Sequence, residues 1–163
     1  MEDTPYSNSN ERRNQGRKPI IMMLTALLAN YEVGRIFIDS GSSADIFFGE
    51  VYNQIQLGDI PLEKVNISLY RFAGEVVQPR GMILLPLMFG IRTPRKTCIL
   101  KFLVVDVFSA YNAILGRPTL NAFQAIIPTY HMKIKFPALG GMGEVQGDLL
   151  QSRKCYIGVV RKG

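Results

Sequence analysis

Histidine and cysteine are scarce in this chain, which contains one histidine and two cysteines in 163 residues. Cys98 and Cys155 are far apart in the sequence, without the close Cys or His spacing that zinc sites use. The glycine patterns of nucleotide-binding loops are absent as well. We therefore expect no bound metal and no cofactor. So few cysteines fit a reducing compartment, and they leave room for one disulfide at most.

Long apolar runs are missing too. No stretch of about eighteen uninterrupted apolar residues is present, so the sequence predicts no membrane-spanning helix and no membrane partner. The first residues, MEDTPYSNSN, are polar and acidic, whereas a secretory signal has a basic start followed by an apolar segment. Both observations favour an intracellular, cytoplasmic location.

Residues 1–18 contain few bulky apolar side chains, namely Met1 and Tyr6. Such a segment cannot bury enough surface to offset the entropy lost on ordering. We therefore predict a disordered polar leader or linker over 1–18 and one folded domain over 19–160. The formal net charge of +6 raises nucleic-acid binding as a hypothesis. The basic residues near the end of the chain are interrupted by CYIGVV, so we expect no nucleic-acid partner for this domain.

Helical periodicity is rare, whereas short segments rich in β-branched and aromatic residues are common. Segments 20–29 and 32–38 predict a hairpin that turns at Asn30–Tyr31. Further strands are expected within 64–72, 75–90, 96–107, 130–136 and 154–160. The pattern predicts an all-β fold, a small closed β-barrel with one or two short helices.

Two segments carry helical signals. In 45–58, the apolar residues Phe47, Val51 and Ile55 are four apart, and Gly58 indicates a stop. Segment 118–123 begins with proline, which suits the first turn of a helix. The middle of segment 137–148 is rich in glycine, which predicts an exposed loop there.

The run "FIDSGSSADIFF" (37–48) places a carboxylate where an apolar strand ends. An ionised carboxylate beside apolar strands is costly unless it is hydrogen-bonded or solvated. The hydroxyl of Ser40 can bond to backbone, and Gly41 permits both a sharp turn and the close approach of another chain. This pattern suits Asp39 to meet a second carboxylate, and two such groups about 3 Å apart share one proton and can activate water. An ordinary Asp-Ser-Gly surface turn is the alternative.

Two more segments are candidates for parts of the same site. In "YNAILGRPTLNAF" (111–123), a short apolar strand ends at Gly116 before a helical turn, and that strand could pass beneath the Asp39 loop or form an ordinary strand-to-helix turn. In "LYRFAGEVVQPRG" (69–81), strand-like residues flank a glycine-containing tip, which predicts a β-hairpin. Such a hairpin could close over a bound chain or be a plain surface hairpin.

Together the three segments resemble the retropepsin family of aspartic proteases, and most of all the protease domains of plant gypsy-class LTR-retrotransposon gag-pol polyproteins. The matching runs are "FIDSGSSADIFF", "LYRFAGEVVQPRG" and "VVDVFSAYNAILGRPTLNAF", with weaker likeness in "TYHMKIKFP" and "SRKCY". The resemblance spans about 19–160. It implies an aspartic endopeptidase that hydrolyses its own polyprotein in the cytoplasm, including within a virus-like particle.

The resemblance also implies residue roles. Asp39 would be the catalytic acid, Ser40 would bond across to the partner loop, and Gly41 would admit that approach. The resemblance also implies a flap that covers the substrate, formed by Phe72, Ala73 and Gly74. It implies a strand that crosses behind the active loop, formed by Ile114, Leu115 and Gly116. Many relatives have Asp-Thr-Gly followed by Ala, and here Ser40 and Ser42 stand in those places.

A homodimer follows from a count. The sequence contains a single Asp-[Ser/Thr]-Gly, and the other acids, including Asp45, Asp59, Asp106 and Asp148, lack the following hydroxyl and glycine. The second catalytic aspartate would therefore come from an identical subunit. The alternative is a catalytically silent retropepsin-like module for dimerisation or peptide binding. A Ser-His-acid triad would have to use His131, but "GSSADI" is not the Gly-x-Ser-x-Gly elbow.

Overall fold

The computed structural model describes residues 22–57, 60–70, 75–90, 92, 94–128 and 132–148. The predicted leader, the segment 154–160 and His131 lie outside these residues. The described part contains ten strands and two helices. The strands are β1 Met22–Leu28, β2 Tyr31–Ile38, β3 Asp45–Phe48, β4 Leu69–Tyr70, β5 Val76–Val77, β6 Gly81–Phe89, β7 Lys96–Val105, β8 Ala113–Leu115, β9 Lys133–Ala138 and β10 Gly141–Gln146. The helices are α1 Gly49–Gln54 and α2 Arg117–Phe123.

Six strands form a closed barrel in the order β1-β2-β8-β3-β7-β6, which confirms the predicted fold class. The barrel closes because β6 pairs with β7 along its length and also with β1 at Leu27–Met88 and Leu28–Leu87. Alternate residues of β6 point inward and are buried, as the two-residue period of a strand requires. Closure leaves no free edge among these strands.

The first hairpin is confirmed, with its turn one residue earlier than expected. Leu28 pairs with Tyr31, and the two turn residues between them, Ala29 and Asn30, have φ values of 50° and 68°. Two consecutive residues with positive φ match the twist of the flanking strands in a type I′ turn. Asn30 suits this conformation, whereas Ala29 adopts it because the hairpin pairing imposes it.

The helical signal in 45–58 is partly wrong. Asp45–Phe48 is strand β3, which pairs with β7 and β8, and helix α1 occupies only Gly49–Gln54. The bulky run Ile46–Phe48 finds strand partners on both sides, and this pairing overrides a four-residue periodicity. Gly58 lies outside the described residues. The helix expected at 118–123 is confirmed as α2, with Pro118 in its first turn.

Within 64–70, the described part of the strand predicted at 64–72, only Leu69–Tyr70 is strand, although the apolar residues alternate. A strand needs a hydrogen-bonded neighbour, and residues 64–70 have one only at β5, while the bridge between Glu63 and Met82 lies just before them. The prediction failed because alternation shows which face is apolar and does not show whether a partner strand exists.

The exposed loop predicted for the middle of 137–148 is confirmed only at its centre, where Leu139 and Gly140 form an exposed turn. Most of the rest of the segment is not loop, because Gly141–Gln146 is strand β10, paired with β9. Gly140, with a φ of 90°, lies in the turn between the two strands, and Gly141, with a φ of 138°, begins β10. Gly143 lies against the ring of Phe136, where a Cβ would be 2.4 Å from the ring carbon Cζ. These glycines therefore permit a turn and a close contact. The rings of Phe89, Phe123 and Phe136 pack together at centroid distances of 4.3–5.9 Å and attach the hairpin to the barrel.

Candidate active site

Asp39 follows the last residue of β2 and begins a tight loop. Its backbone N–H donates a hydrogen bond of 2.9 Å to the carbonyl of Leu115, so β8 continues to hold the chain just beyond the strand. Its half-buried carboxylate accepts a hydrogen bond of 2.9 Å from the backbone N–H of Gly41 through Oδ1. The loop therefore orients the carboxylate by its own backbone.

Small residues make this loop possible. The N–H of Ser42 donates to the carbonyl of Asp39 at 3.1 Å, which closes the turn. A Cβ on Gly41 would lie 3.2 Å from Oδ1 of Asp39, a tight contact that any larger residue would have to relieve. Ser40 and Gly41 are exposed at the tip of the turn, where a second chain can reach them.

Three consecutive residues, from the last residue of β8 to the first of α2, hold the loop that spans 39–45, which we call the acid loop. Besides the bond from Asp39 to Leu115, the N–H of Arg117 donates to the carbonyl of Ser42 at 2.9 Å. Between them, the N–H of Gly116 donates to Oδ1 of Asp45 at 2.8 Å. The end of β8 and the start of α2 therefore fix the beginning, middle and end of the acid loop.

Gly116 is the residue over which the acid loop passes most closely. A Cβ at this position would lie 2.6 Å from the carbonyl oxygens of both Ser42 and Ala44. Its φ of −104° is open to any residue, so close packing and not backbone conformation requires glycine here. The structure thus places Ala113–Leu115 behind the acid loop, between β2 and β3.

Asp45 closes the acid loop and is 1% exposed. Burial raises the pKa of this carboxyl, against the lowering effects of the hydrogen bond from Gly116 and of the nearby hydroxyl and backbone of Thr119. Thr119 is close enough to influence the carboxyl, yet among the described residues neither its hydroxyl nor Oδ2 of Asp45 completes a hydrogen bond of normal geometry. Sequence analysis set Asp45 aside, because its neighbours lack the Asp-Ser-Gly pattern.

A half-buried apolar face adjoins Asp39 on the outside of the barrel. Phe37 lies two residues before Asp39 and pairs with Ile114, which in turn pairs with Ile46. Neighbouring residues in the same strands fill the core, so these three side chains point away from it. Tyr111 stacks on Phe37 with a centroid distance of 4.8 Å. Sequence analysis missed this face, although three successive apolar residues, Ile36–Ile38, indicate a strand covered on both sides.

The loop that carries Tyr111 is attached to an irregularity in β2. The pairing of β1 with β2 shifts between Leu24 and Ala26, and Arg35 has a φ of 53°, as at a β-bulge. Asn112 fills the gap in the ladder, since its side-chain amide donates to the carbonyl of Gly34 at 2.7 Å and its N–H donates to the carbonyl of Arg35 at 2.9 Å.

The predicted hairpin after residue 68 is present in its described part. Leu69 pairs with Val77 and Tyr70 with Val76, and a hydrogen bond of 2.7 Å joins the side chains of Gln78 and Ser68 below these pairs. Phe72, Ala73 and Gly74, the residues predicted to cover a substrate, lie outside the described residues.

Arg80 ties the end of this hairpin to the barrel. Its guanidinium bonds to both carboxylate oxygens of Asp106 and donates to Oδ1 of Asn53 at 2.8 Å. The hydrogen bond to Arg80 lowers the pKa of Asp106. Arg80 also lies over the ring of Tyr52, 5.4 Å from its centroid. These contacts join the segment after β5 to α1 and to the residue that follows β7.

Two features are absent from the described residues. No group of three His, Cys, Asp or Glu side chains there could hold a metal ion. No helix in that part of the chain is long and apolar enough to cross a membrane.

Of the comparisons with known proteins, the one with solved structures finds proteins of the same barrel fold. No protein-family profile and no curated protein matches the sequence. Among solved structures, the retroviral protease-like domain of Ddi1 from Leishmania major superposes with a TM-score of 0.56 and 18% identity, over 80% of this chain and 96% of that domain. A retropepsin-like aspartic protease from Rickettsia conorii superposes with a TM-score of 0.51 and 15% identity, over 77% of this chain and 81% of that protein. The chain has the fold of retropepsin-like aspartic protease domains.

Proposed function

We propose that this chain is one subunit of a homodimeric aspartic endopeptidase. The observation that carries the proposal is the position of Asp39, at the end of an apolar strand in a retropepsin-like barrel, on a loop held by β8. Each subunit supplies one Asp-Ser-Gly, and twofold symmetry brings two such loops together.

In the proposed reaction a water molecule lies between the two copies of Asp39. The ionised copy accepts a proton from the water while the protonated copy donates to the scissile carbonyl, and a proton later reaches the leaving nitrogen. The apparent pKa values of such a site belong to the pair of carboxyls. Ser40, exposed at the tip of the acid loop, would bond across to the partner loop.

The substrate in this proposal is an extended peptide within the polyprotein of a plant gypsy-class retrotransposon. Its backbone would pair with the hairpin tip, and alternate side chains would enter pockets. The apolar face of Phe37, Ile46, Ile114 and Tyr111 beside Asp39 favours apolar side chains next to the cleaved bond. We propose that this polyprotein is processed in the cytoplasm. The alternative is a catalytically silent module for dimerisation or peptide binding, and the following experiment distinguishes the two.

The test is the Asp39→Asn variant, whose cleavage of a peptide library is measured at about pH 5, where two carboxyls that share a proton can operate. We expect a loss of about 10³-fold or more in turnover, because the amide can neither accept nor deliver the required protons. Glu63→Gln, a carboxyl-to-amide change at an exposed position, is the matched control and should cleave like the parent. Equal cleavage by Asp39→Asn and the parent refutes the mechanism, and a dimeric parent without turnover supports the silent module.

Mixing the two proteins tests the shared site. After subunits exchange, an equal amount of Asp39→Asn should reduce the activity of a fixed amount of parent to about half, and a ninefold excess to about a tenth, since random pairing leaves that share of parent subunits in intact dimers. A monomeric enzyme would keep its full activity in both mixtures.

A further inference from the structure

The acid loop forms three hydrogen bonds with residues 115–117, two between backbone groups and one that involves a side chain. The bonds at Leu115 and Arg117 join backbone to backbone, and they form in any protonation state. The bond at Gly116 ends on the side chain of Asp45. Of the three, this bond alone depends on a side chain that can be substituted and that can gain or lose a proton.

We propose that Asp45 is a positioning residue, whose neutral carboxyl accepts from Gly116 and donates to Thr119 and thereby holds the acid loop and Asp39 against the start of α2. The part of the proposal that concerns catalysis rests on the proposed function above. The part that concerns the loop stands on the geometry of the monomer.

Burial supports this role for Asp45. The residue is 1% exposed and stands opposite Phe102, which is fully buried. Polar groups at such positions remain buried only where they have hydrogen-bond partners. Thr119 is 0% exposed. Its hydroxyl and Oδ2 of Asp45 are the two buried side-chain oxygens or nitrogens without a partner in the described residues. One proton on Oδ2, donated to that hydroxyl, satisfies both atoms.

The surroundings of the carboxyl favour the neutral form. Among the described residues, the groups that act on it are the N–H of Gly116 and the hydroxyl and backbone of Thr119, and no charged side chain is among them. The elements that pack on it, β7, β8 and α2, therefore supply no counter-charge. Burial prevails and raises its pKa above the ordinary value of 3.8.

Two substitutions separate the functions of this side chain. Asp45→Asn keeps an oxygen for Gly116 and places an N–H₂ donor toward Thr119, so it imitates the neutral carboxyl at every pH. Asp45→Ala removes both bonds and leaves a buried N–H without its acceptor. Glu63→Gln again serves as the control for an exposed carboxyl.

The first readout needs no enzymatic activity. In Asp45→Ala, the Gly116 amide should exchange its hydrogen with solvent at least about tenfold faster than in the parent, while Asp45→Asn should protect it. In the parent, the free energy of unfolding should fall as pH rises from 3.8 through the higher folded-state pKa, since the native state retains that proton more strongly. Asp45→Asn should lack this fall, and Glu63→Gln should keep it.

The second readout is catalytic. If Asp45 positions Asp39, then Asp45→Ala should lower kcat about tenfold or more with KM changed less than about threefold, and Asp45→Asn should restore most of kcat. The proposal is overturned if Asp45→Asn shows the same pH-dependent stability as the parent, or if the Gly116 amide is equally protected in Asp45→Ala. Should Asp45→Ala fail to fold, the pH dependence of Asp45→Asn decides alone. Failure of the proposed function is recognised separately, as a parent without turnover or as equal cleavage by Asp39→Asn and the parent, and the exchange and stability readouts of Asp45 remain valid in both cases.

Discussion

Gly116→Ala should destabilise the protein by about 2–4 kcal/mol, because the new methyl group would meet backbone on both sides. The Cβ would lie 2.6 Å from the carbonyl oxygens of Ser42 and Ala44, whereas ordinary contacts begin at 3.4 Å. The acid loop must then move by about 0.8 Å. Such a shift lengthens the bond from Arg117 to Ser42 from 2.9 Å to about 3.7 Å, beyond hydrogen-bonding range.

The magnitude follows from these two effects. Inserting a methyl group into a packed site typically costs about 1–3 kcal/mol, and a lost backbone hydrogen bond adds about 1 kcal/mol. Backbone conformation adds nothing, because alanine accepts a φ of −104° and a ψ of −158°.

Urea unfolding at pH 7, followed by circular dichroism, measures the effect as a change in midpoint. Gly34→Ala is the matched control, since its Cβ would meet only the side-chain hydroxyl of Thr25 at 3.3 Å, which can yield, and it should cost less than about 1 kcal/mol. If Gly116→Ala unfolds at the same urea concentration as the parent, close packing of the acid loop on Gly116 is wrong.

Two further predictions concern the supports of the barrel. Arg80→Met should lower the free energy of unfolding by about 1 kcal/mol or less, since the pair with Asp106 is partly exposed. This loss should shrink as pH falls from about 4 through the lowered pKa of Asp106. A loss that stays constant while pH falls through this range contradicts the prediction. Phe136→Ala should lower the free energy of unfolding by about 3–5 kcal/mol, measured by thermal or urea unfolding, because the ring is fully buried. Ile99→Ala, at an exposed position, is the control. A loss below about 1 kcal/mol for Phe136→Ala would show that the β9–β10 hairpin is not part of the core.

The acid loop could be anticipated from sequence because its signals are local. An apolar strand followed by Asp39-Ser40-Gly41 indicates both where the strand ends and why the turn is tight. The short strand and proline-started helix after residue 112 were equally local. What joins them is the parallel pairing of β2 with β8. No periodicity encodes such a pairing, because it depends on contacts between segments far apart in the chain.

Asp45 shows most clearly what the sequence alone could not predict. An acid after "SSA" is expected to be solvent-exposed, since aspartate is rarely buried. Its burial becomes acceptable only because the N–H of Gly116 lies beside it in the folded chain. The same reasoning applies to Gly143, which is close to Phe136 only once the hairpin has packed. In the sequence, a glycine needed for such a close contact looks the same as a glycine in a loop.

The position of β8 has a consequence for how the molecule assembles. β2 and β3 are not neighbours in the barrel, and β8 lies between them, although it comes some 65–80 residues later in the chain. Long-range closure of this kind is slow, so a chain still emerging from the ribosome keeps both strands unpaired on that side until Leu115 is synthesised. Until then the loop bearing Asp39 has only its own internal hydrogen bonds, and a subunit gains the outside supports of its acidic turn only when β8 inserts between the two earlier strands.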